Sequence, residues 1–231
     1  MQIVILCGGL ATHLRPITEK IPKSMIEITG KPFLEHQLEL LKKNGVFDII
    51  LCIGYKGAKI KKYFGDGKRF GVRIKYSKEK EKLLGTGGAL KKAKNLLNDV
   101  FLVMYGDSYL PFDFGAAINY FKKFEKLGLM VVFRNRNRYE KSNVLVEGNL
   151  VKRYDKENQT KEMEYIDYGL SIFRKKALKF LSKDTFCDLS HLHKALIKKE
   201  QLLAFESEVR FYTIGSFQEL EEFKKYIKNN L

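Results

Sequence analysis

Cysteine is scarce in this chain. Among 231 residues there are three, Cys7, Cys52 and Cys187. They are too few and too scattered for a disulfide framework, and no CxxC or Cys/His cluster suggests structural zinc. Cys7 and Cys52 sit inside apolar runs, where a free thiol behaves as a small buried hydrophobe. No apolar run approaches the roughly 18 residues of a membrane span. Residues 1–8 lack the basic head and long apolar stretch of a signal peptide, so a soluble cytoplasmic protein without membrane contact is expected. Internal repeats, low-complexity tracts and Gly/Ser linkers are also missing, which points to a single domain over residues 1–231. Acidic residues are few beside the basic ones: 27 Asp and Glu against 43 Lys and Arg, a formal charge of +16. Such an excess invites a nucleic-acid reading. It comes without a recognition motif, aromatic–basic interleaving or a basic tail, and 34 of the basic residues are lysines. We read it as solvated lysine surface and expect no nucleic-acid partner.

What is present is enough apolar material for a core, 45% of the residues, and disorder is excluded. In the first half two periods alternate. Apolar runs at 3–7, 47–53 and 100–105, with alternation at 72–76, read as strands. Helical spacing marks 34–41, which ends at Gly45, a good residue for a helix C-terminus, and recurs at 58–64 and 88–97. Strand–helix alternation over short connections predicts an α/β fold, a mostly parallel central sheet with helices on both faces. Ligands bind such sheets beyond the carboxyl ends of the strands, so Gly8-Gly9 and Gly106-Asp107 should share one rim. The second half is less regular. Strands are expected at 129–133, at 143–147 and 150–154 as a hairpin turning at Gly148-Asn149, at 166–173 interrupted by Gly169, and at 212–214. A helix at 189–199 has Asp188 as N-cap, and a last helix starts from a capping box of Ser216 and Glu219. His191 and His193, two apart on a helix, are expected to be structural, and His36 to be a helix-surface residue.

The stretch richest in chemistry is Leu6-Cys7-Gly8-Gly9-Leu10-Ala11-Thr12-His13-Leu14-Arg15-Pro16, followed by Ile21-Pro22-Lys23-Ser24-Met25. A glycine pair directly after a strand lets backbone N–H groups approach an anion, and basic residues follow within reach. It is not the dinucleotide-binding pattern, which needs a third glycine, nor a P-loop, since no Gly-Lys-Ser/Thr follows. Taken whole, it resembles the signature of the sugar-1-phosphate nucleotidyltransferases, Gly-Gly-x-Gly-Thr-Arg-Leu-x-Pro with a later Pro-Lys. Further segments match in order. Leu84-Gly85-Thr86-Gly87-Gly88-Ala89-Leu90 looks like the family's base-recognition loop and Tyr105-Gly106-Asp107 like its metal-binding Gly-Asp. Tyr154-Asp155-Lys156 stands where the family has Glu-Lys-Pro. Ile166-Asp167-Tyr168-Gly169-Leu170 stands at its sugar loop, and Ile214-Gly215-Ser216 resembles its late Asp-x-Gly-Thr.

The resemblance implies a Rossmann-like nucleotidyltransferase fold, with residues 1–110 holding nucleotide and 111–231 holding sugar phosphate. It implies attack of a sugar 1-phosphate on the α-phosphorus of a nucleoside triphosphate, giving a nucleotide-sugar and pyrophosphate. Lys23, Arg15, His13 and Asp107 would form the reacting group, Asp107 holding Mg²⁺. Leu6, Gly8, Gly9, Gly85, Thr86, Gly87, Gly88 and Asp107 would bind nucleotide, with the base lying against Gly87 and Gly88. Lys156 would hold the sugar phosphate, Asp155 a sugar hydroxyl, and Asp167 and Gly169 the sugar. The loop at 84–90 most resembles that of heptose-1-phosphate guanylyltransferases, so GTP with a heptose or mannose-type 1-phosphate leads. Uridylyl transfer to glucose or N-acetylmuramate 1-phosphate, cytidylyl transfer and a non-catalytic nucleotide-binding relative are the alternatives, and self-association is left open. Three positions depart from the pattern. His13 replaces an arginine whose planar, permanent charge imidazole cannot reproduce. Ala11 replaces a glycine and would be strained at positive φ. Thr213 stands where a late Asp supplies a second metal ligand, with Glu206, Glu208 or Asp167 as candidate substitutes.

Overall fold

Residues of strand β1 (Gln2–Leu6) are buried on both sides, because alternate side chains enter two different cores. Ile3 and Ile5 pack on one face of the sheet and Val4 and Leu6 on the other, the period-two alternation of a strand covered twice. The computed structural model describes residues 1–79, 82–182 and 185–230. Among them, eight more strands complete the main sheet. These are β2 (Asp48–Ile53), β3 (Arg73–Lys78), β4 (Val100–Tyr105), β5 (Gly128–Arg134), β6 (Val144–Glu147), β7 (Leu150–Tyr154), β8 (Tyr165–Arg174) and β9 (Leu202–Ser207). Their order across the sheet is β3-β2-β1-β4-β8-β5-β9-β7-β6. The first four are mutually parallel. Beyond them the sheet is mixed: β8 runs antiparallel to β4 and β5, and β9 is parallel to β5.

Helices α1 (Phe33–Lys43), α2 (Gly57–Phe64) and α4 (Phe114–Lys122) cover the Ile3 face through Leu34, Leu38, Ile60, Phe64 and Phe114. Helices α3 (Gly85–Lys92) and α5 (Leu189–Ile197) cover the Val4 face through Leu90, Leu192 and Leu196. A third, smaller cluster joins helix α6 (Phe217–Asn230) to the segment after β1, with Leu14, Ile26, Phe33 and Phe223 at its centre. No helix among the described residues is long and apolar enough to cross a membrane.

The expected caps form. Asp188 accepts from Ser190 N–H at 2.8 Å. Ser216 and Glu219 exchange hydrogen bonds, Glu219 N–H to Ser216 Oγ at 3.2 Å and Ser216 N–H to Glu219 Oε2 at 2.9 Å. Of the elements named above, α4 and β9 were not expected, nor were the short helix Ile17–Lys20 and the short strands Glu27–Ile28, Lys31–Pro32 and Ser108–Tyr109. Helix α3 also begins earlier than its apolar spacing indicates, at Gly85, and becomes a tighter 3-10 turn over Ala93–Leu96. His36 is corrected from helix surface to interior: it is buried, its Nε2 lies 2.9 Å from the Ile28 carbonyl, and its ring meets Phe223 edge-on. The cluster under α6 covers the face of α1 that helical spacing alone leaves exposed.

His193 is fully buried, shares a 3.0 Å hydrogen bond with Ser171 Oγ, and its Nδ1 has no partner. Burial pushes its pKa down from 6.5 to about 4. The native state therefore holds this ring neutral while the unfolded chain protonates it, so stability is lost as pH falls from 6.5 towards 4. The contribution is on the order of 3 kcal/mol. Urea denaturation across that window should show a steeper loss for the native chain than for His193→Gln, and equal slopes would disprove the assignment.

Candidate active site

The rim of the sheet is set by strand pairing. Leu6 and Tyr105 are register partners in the parallel β1–β4 pair, and Gly106 N–H donates to the Leu6 carbonyl at 2.9 Å. On the other side Cys7 N–H donates to Cys52 O and Tyr55 N–H to Gly8 O, both at 3.0 Å. Gly8-Gly9 and Gly106-Asp107 thus share one rim, as the alternation of strands and helices predicts. Gly8 is required by close approach: a Cβ there would stand 2.7 Å from Glu79 Oε2 and 3.0 Å from Gly54 N. The loop then passes through Ala11, held left-handed at φ 51°, ψ 51°, a region costing a non-glycine residue about 1–2 kcal/mol. Thr18 Oγ1 donates to the Ala11 carbonyl at 2.8 Å, and Leu14 is buried in the third cluster. These anchors hold the strained conformation. They leave His13 and Arg15 exposed, with Arg15 4.0 Å from Glu19, and neither lines the two cavities of the rim.

The first cavity, about 380 Å³, lies over the ends of β1, β2 and β4. Leu6, Gly8, Gly9, Lys23, Gly85, Thr86 and Asp107 all line it. Lys23 Nζ donates to Asp107 Oδ2 at 2.9 Å, a pair with side-chain exposures of 19% and 37% that ligand charges can still reach. Cys7 and Cys52 line the same cavity. Burial pushes the Cys7 thiol up to about 12 and raises Cys52 further, so both stay protonated at neutral pH and neither serves as a nucleophile. Sequence reasoning missed Glu79, a buried carboxylate in the wall, and Phe186, an aromatic side chain left 77% exposed at the edge.

Gly87 and Gly88 do not line this cavity. Their N–H groups donate to the Cys187 carbonyl at 2.8 and 3.0 Å, and a Cβ on either would meet backbone oxygens of Asp188 or Thr185 at 2.8 Å. In this structure the pair lets the 185–188 segment cross against helix α3. The Thr86 hydroxyl is engaged in the same junction: it donates to Asp188 Oδ2 and accepts from Leu189 N–H, both at 2.8 Å. Burial opposes ionisation of Asp188, but the Ser190 N–H, the Ser190 hydroxyl and Thr86 together hold its carboxyl below the usual range.

A second cavity, about 410 Å³, shares Tyr105 and Asp107 with the first. Lys156, Asp167 and Gly169 line it, with Asn143 and Thr213. Lys156 Nζ stands 5.4 Å from the Tyr105 ring centre, which brings this cation to the wall between the cavities. Asp167 accepts from the Tyr154 hydroxyl and from Gly169 N–H, both at 3.0 Å. Gly169 has φ 93°, sits at the break in β5–β8 register, and leaves room for Ser108, whose Oγ would be 3.0 Å from a Cβ. The bulge therefore has a purpose in packing.

Asp155 is placed differently from the other expected residues. Its Oδ1 accepts from the N–H groups of Asn158 and Glu157 at 3.0 Å, which lowers its pKa, and it does not line the cavity. It closes the turn that carries Lys156. Thr213 pairs with Ser108, and Ile214 N–H donates to the Asp107 carbonyl at 3.0 Å, so the position beside Asp107 is filled by a hydroxyl residue. Glu206 and Glu208 are exposed and outside both cavities, whereas Glu140 and Glu219 line the second. Burial raises the Glu140 carboxyl, and the nearby Glu219 adds to it. Among the described residues, no three His, Cys, Asp or Glu side chains gather as a metal cluster.

Thr86→Val should remove both hydrogen bonds that tie α3 to α5. It is expected to lower stability by about 1–3 kcal/mol in urea denaturation, because Asp188 and Leu189 N–H lose a buried partner. Thr86→Ser should restore most of the loss, and an unchanged midpoint in the valine variant would refute the role of this junction.

Comparison with known proteins agrees with this geometry. The chain is 35% identical over 195 residues to the D-glycero-alpha-D-manno-heptose 1-phosphate guanylyltransferase of Campylobacter jejuni, covering 82% of this chain and 80% of that protein. It is 32% identical over 221 residues to the catalytic subunit beta of a mannose-1-phosphate guanylyltransferase of Xenopus tropicalis, covering 93% of this chain and 61% of that longer protein. The structure of HddC from Yersinia pseudotuberculosis complexed with GMP-PN superposes with a TM-score of 0.80 at 26% identity, covering 98% of this chain and 99% of the other. The family described as Nucleotidyl transferase matches residues 2–229, and the chain belongs to it.

Proposed function

We propose that the chain is a sugar-1-phosphate guanylyltransferase that joins GTP to a heptose or mannose-type 1-phosphate, releasing pyrophosphate. The observation carrying this reading is that two cavities, one largely apolar beside Lys23 and one polar beside Lys156, meet at Asp107 and Tyr105. A transfer between two phosphorylated substrates needs two chambers with a cation in each and a shared wall where the reacting atoms meet. The guanylyl preference is supported by the relatives from Campylobacter and Xenopus.

In this reading a phosphate oxygen of the sugar 1-phosphate forms a bond to the α-phosphorus of GTP, and the bond from that phosphorus to the β-phosphate oxygen breaks. Residues 1–110 supply most of the nucleotide chamber and residues 111–231 most of the sugar chamber. Lys23 leaves Asp107 for the nucleotide phosphates, and Lys156 holds the sugar phosphate for in-line attack. Asp167 and Asn143 face the sugar. Asp107 fits Mg²⁺ carried with the triphosphate: a lone carboxylate beside hydroxyl residues is the donor set of an ion completed by substrate phosphates and water. Such an ion would neutralise charge developing on the phosphates. His13 and Arg15, exposed on the loop, would close on the outer phosphates once they are bound. Three unpaired thiols suit a reducing compartment, and the product would serve as an activated sugar for cell-surface polysaccharide made from the cytoplasm.

Pyrophosphate release should be measured with four nucleoside triphosphates and a panel of sugar 1-phosphates. GTP with a heptose or mannose-type 1-phosphate should be fastest, and Lys23→Ala should lower kcat/KM by at least ~100-fold. Silence across the panel with nucleotide binding retained would replace the enzyme by a non-catalytic binder. His13→Arg should lower the KM for nucleotide several-fold, on the order of one stronger charge-assisted contact. An unchanged KM and kcat would remove His13 from the phosphates.

A further inference from the structure

The second cavity continues beyond the sugar-facing residues. Glu140, Phe211, Thr213 and Glu219 line it and also line a third hollow, of about 260 Å³, on the side of helix α6. Arg210 stands in that hollow with its guanidinium between two rings, 4.2 Å from the centre of Tyr139 and 4.9 Å from that of Tyr212. Tyr212 stacks in turn on Tyr226 of α6, with ring centres 4.1 Å apart. Arg210 also donates to Glu222, which lies four residues before Tyr226 and so on the same face of α6. With side-chain exposures of 35% and 37%, that ion pair alone is a weak tie. The rings give it geometry: a planar guanidinium stacks on two aromatic faces and still donates in its own plane, which an ammonium cannot do.

Tyr139 belongs to the loop that joins β5 to β6. The loop ends are fixed beside the start of β8, where Asn135 N–H donates to the Glu164 carbonyl at 3.0 Å and Asn143 N–H to the Tyr165 carbonyl at 2.8 Å. Its interior is shaped by two buried residues, Asn135 and Ser142. The Asn135 amide donates to the Glu140 carbonyl at 2.6 Å and accepts from Tyr139 N–H at 3.1 Å, and Ser142 N–H donates to Asn137 Oδ1 at 2.7 Å. The loop is a preformed unit, and Tyr139 is where it is tied across to Arg210. The next two residues, Glu140 and Lys141, line the second cavity. A carboxylate accepts from hydroxyl groups and an ammonium donates to them, so this pair suits a polyol.

We propose that Arg210 is a positioning residue of the sugar chamber: its stack between Tyr139 and Tyr212 holds the 135–142 loop where Glu140 and Lys141 meet the end of the acceptor remote from its phosphate. The first cavity and the third hollow share no lining residue, so the second lies between them. A sugar 1-phosphate with its phosphate at the Tyr105 and Asp107 wall therefore turns its far end to Glu140. This rests on the second cavity being the sugar chamber and is independent of the base transferred.

Kinetics of the full chain should use the nucleotide and sugar 1-phosphate that the native protein turns over fastest. Arg210→Ala should raise the KM for the sugar 1-phosphate at least ~10-fold and leave the KM for nucleotide within about twofold. Tyr139→Ala, at an exposed position, should do the same without disturbing the core, whereas Tyr139→Phe keeps the ring and should match the native chain. Arg210→Lys keeps the charge without the planar fork and should recover only part of the loss. A sugar KM unmoved in both alanine variants, both KMs rising together, or full recovery with lysine would overturn the proposal. A second readout needs no turnover. Trypsin cleavage after Arg136 and Lys141, followed by mass spectrometry, should be at least ~10-fold faster in Arg210→Ala than in the native chain, with cleavage outside the loop unchanged. Equal rates in the loop would overturn the positioning role whatever the activity. A native chain silent with every sugar 1-phosphate would overturn the proposed function and the acceptor role of Glu140 and Lys141 with it, and the cleavage rates would still decide whether Arg210 holds the loop.

Discussion

The in-register parallel pairing of β1 with β4 is the constraint on which the cleft depends. It sets Leu6 beside Tyr105, and the residues that follow those two strand ends leave the sheet at the same height. From there Leu14 in the cluster under α6 and the Thr18–Ala11 hydrogen bond anchor the loop that carries Lys23 back to Asp107 across 84 residues of sequence. A one-residue slip in this pair would reverse which side chains of β1 enter each core. The two-faced burial of Ile3, Val4, Ile5 and Leu6 opposes such a slip at every position.

Charge in the cleft is arranged in pairs that substrates can rearrange. Lys23 and Asp107 satisfy each other at partial exposure, so neither is an uncompensated buried charge, and each has an alternative partner in a phosphate or a cation. Lys156 rests over two aromatic rings, Tyr105 and Tyr154, a weak hold that a phosphate readily exceeds. The junction of Thr86, Asp188 and Leu189 is of another kind. It is closed on itself, and its hydrogen bonds shape the wall of the first cavity.

Much of this was legible in the sequence because it rests on local pattern. The strands β1, β2 and β4, the caps at Asp188 and Ser216, and the interruption at Gly169 all follow from residues close in the chain. Strand β9 reads as a short apolar run indistinguishable from a helix segment, and it is fixed by pairing with β5 on one side and β7 on the other. Helix α4 had a signal that went unused, the N-cap Asp113 before Phe114. The site divides in the same way. Lys23, Asp107, Lys156, Asp167 and Gly169 come from motifs, and all five line one or both of the two cavities. Glu79 belongs to no motif quoted from the sequence, and its burial arises where the ends of β1 and β2 meet the segment after β3. Gly87, Gly88 and Asp155 show the converse: motif positions whose immediate partners are their own chain.

The last strand of the mixed sheet, β6, pairs back to β8 at Val144 and Tyr165, whereas the opposite edge, β3, is open. Arg73, Lys75 and Lys78 are exposed along it while Ile74 and Ser77 face inward. A strand edge is a template for another strand, and a row of like charges makes the approach of an identical edge unfavourable. Part of the excess lysine thus works as a guard against sheet-to-sheet joining, a task that needs positive charge along the strand and no ligand at all.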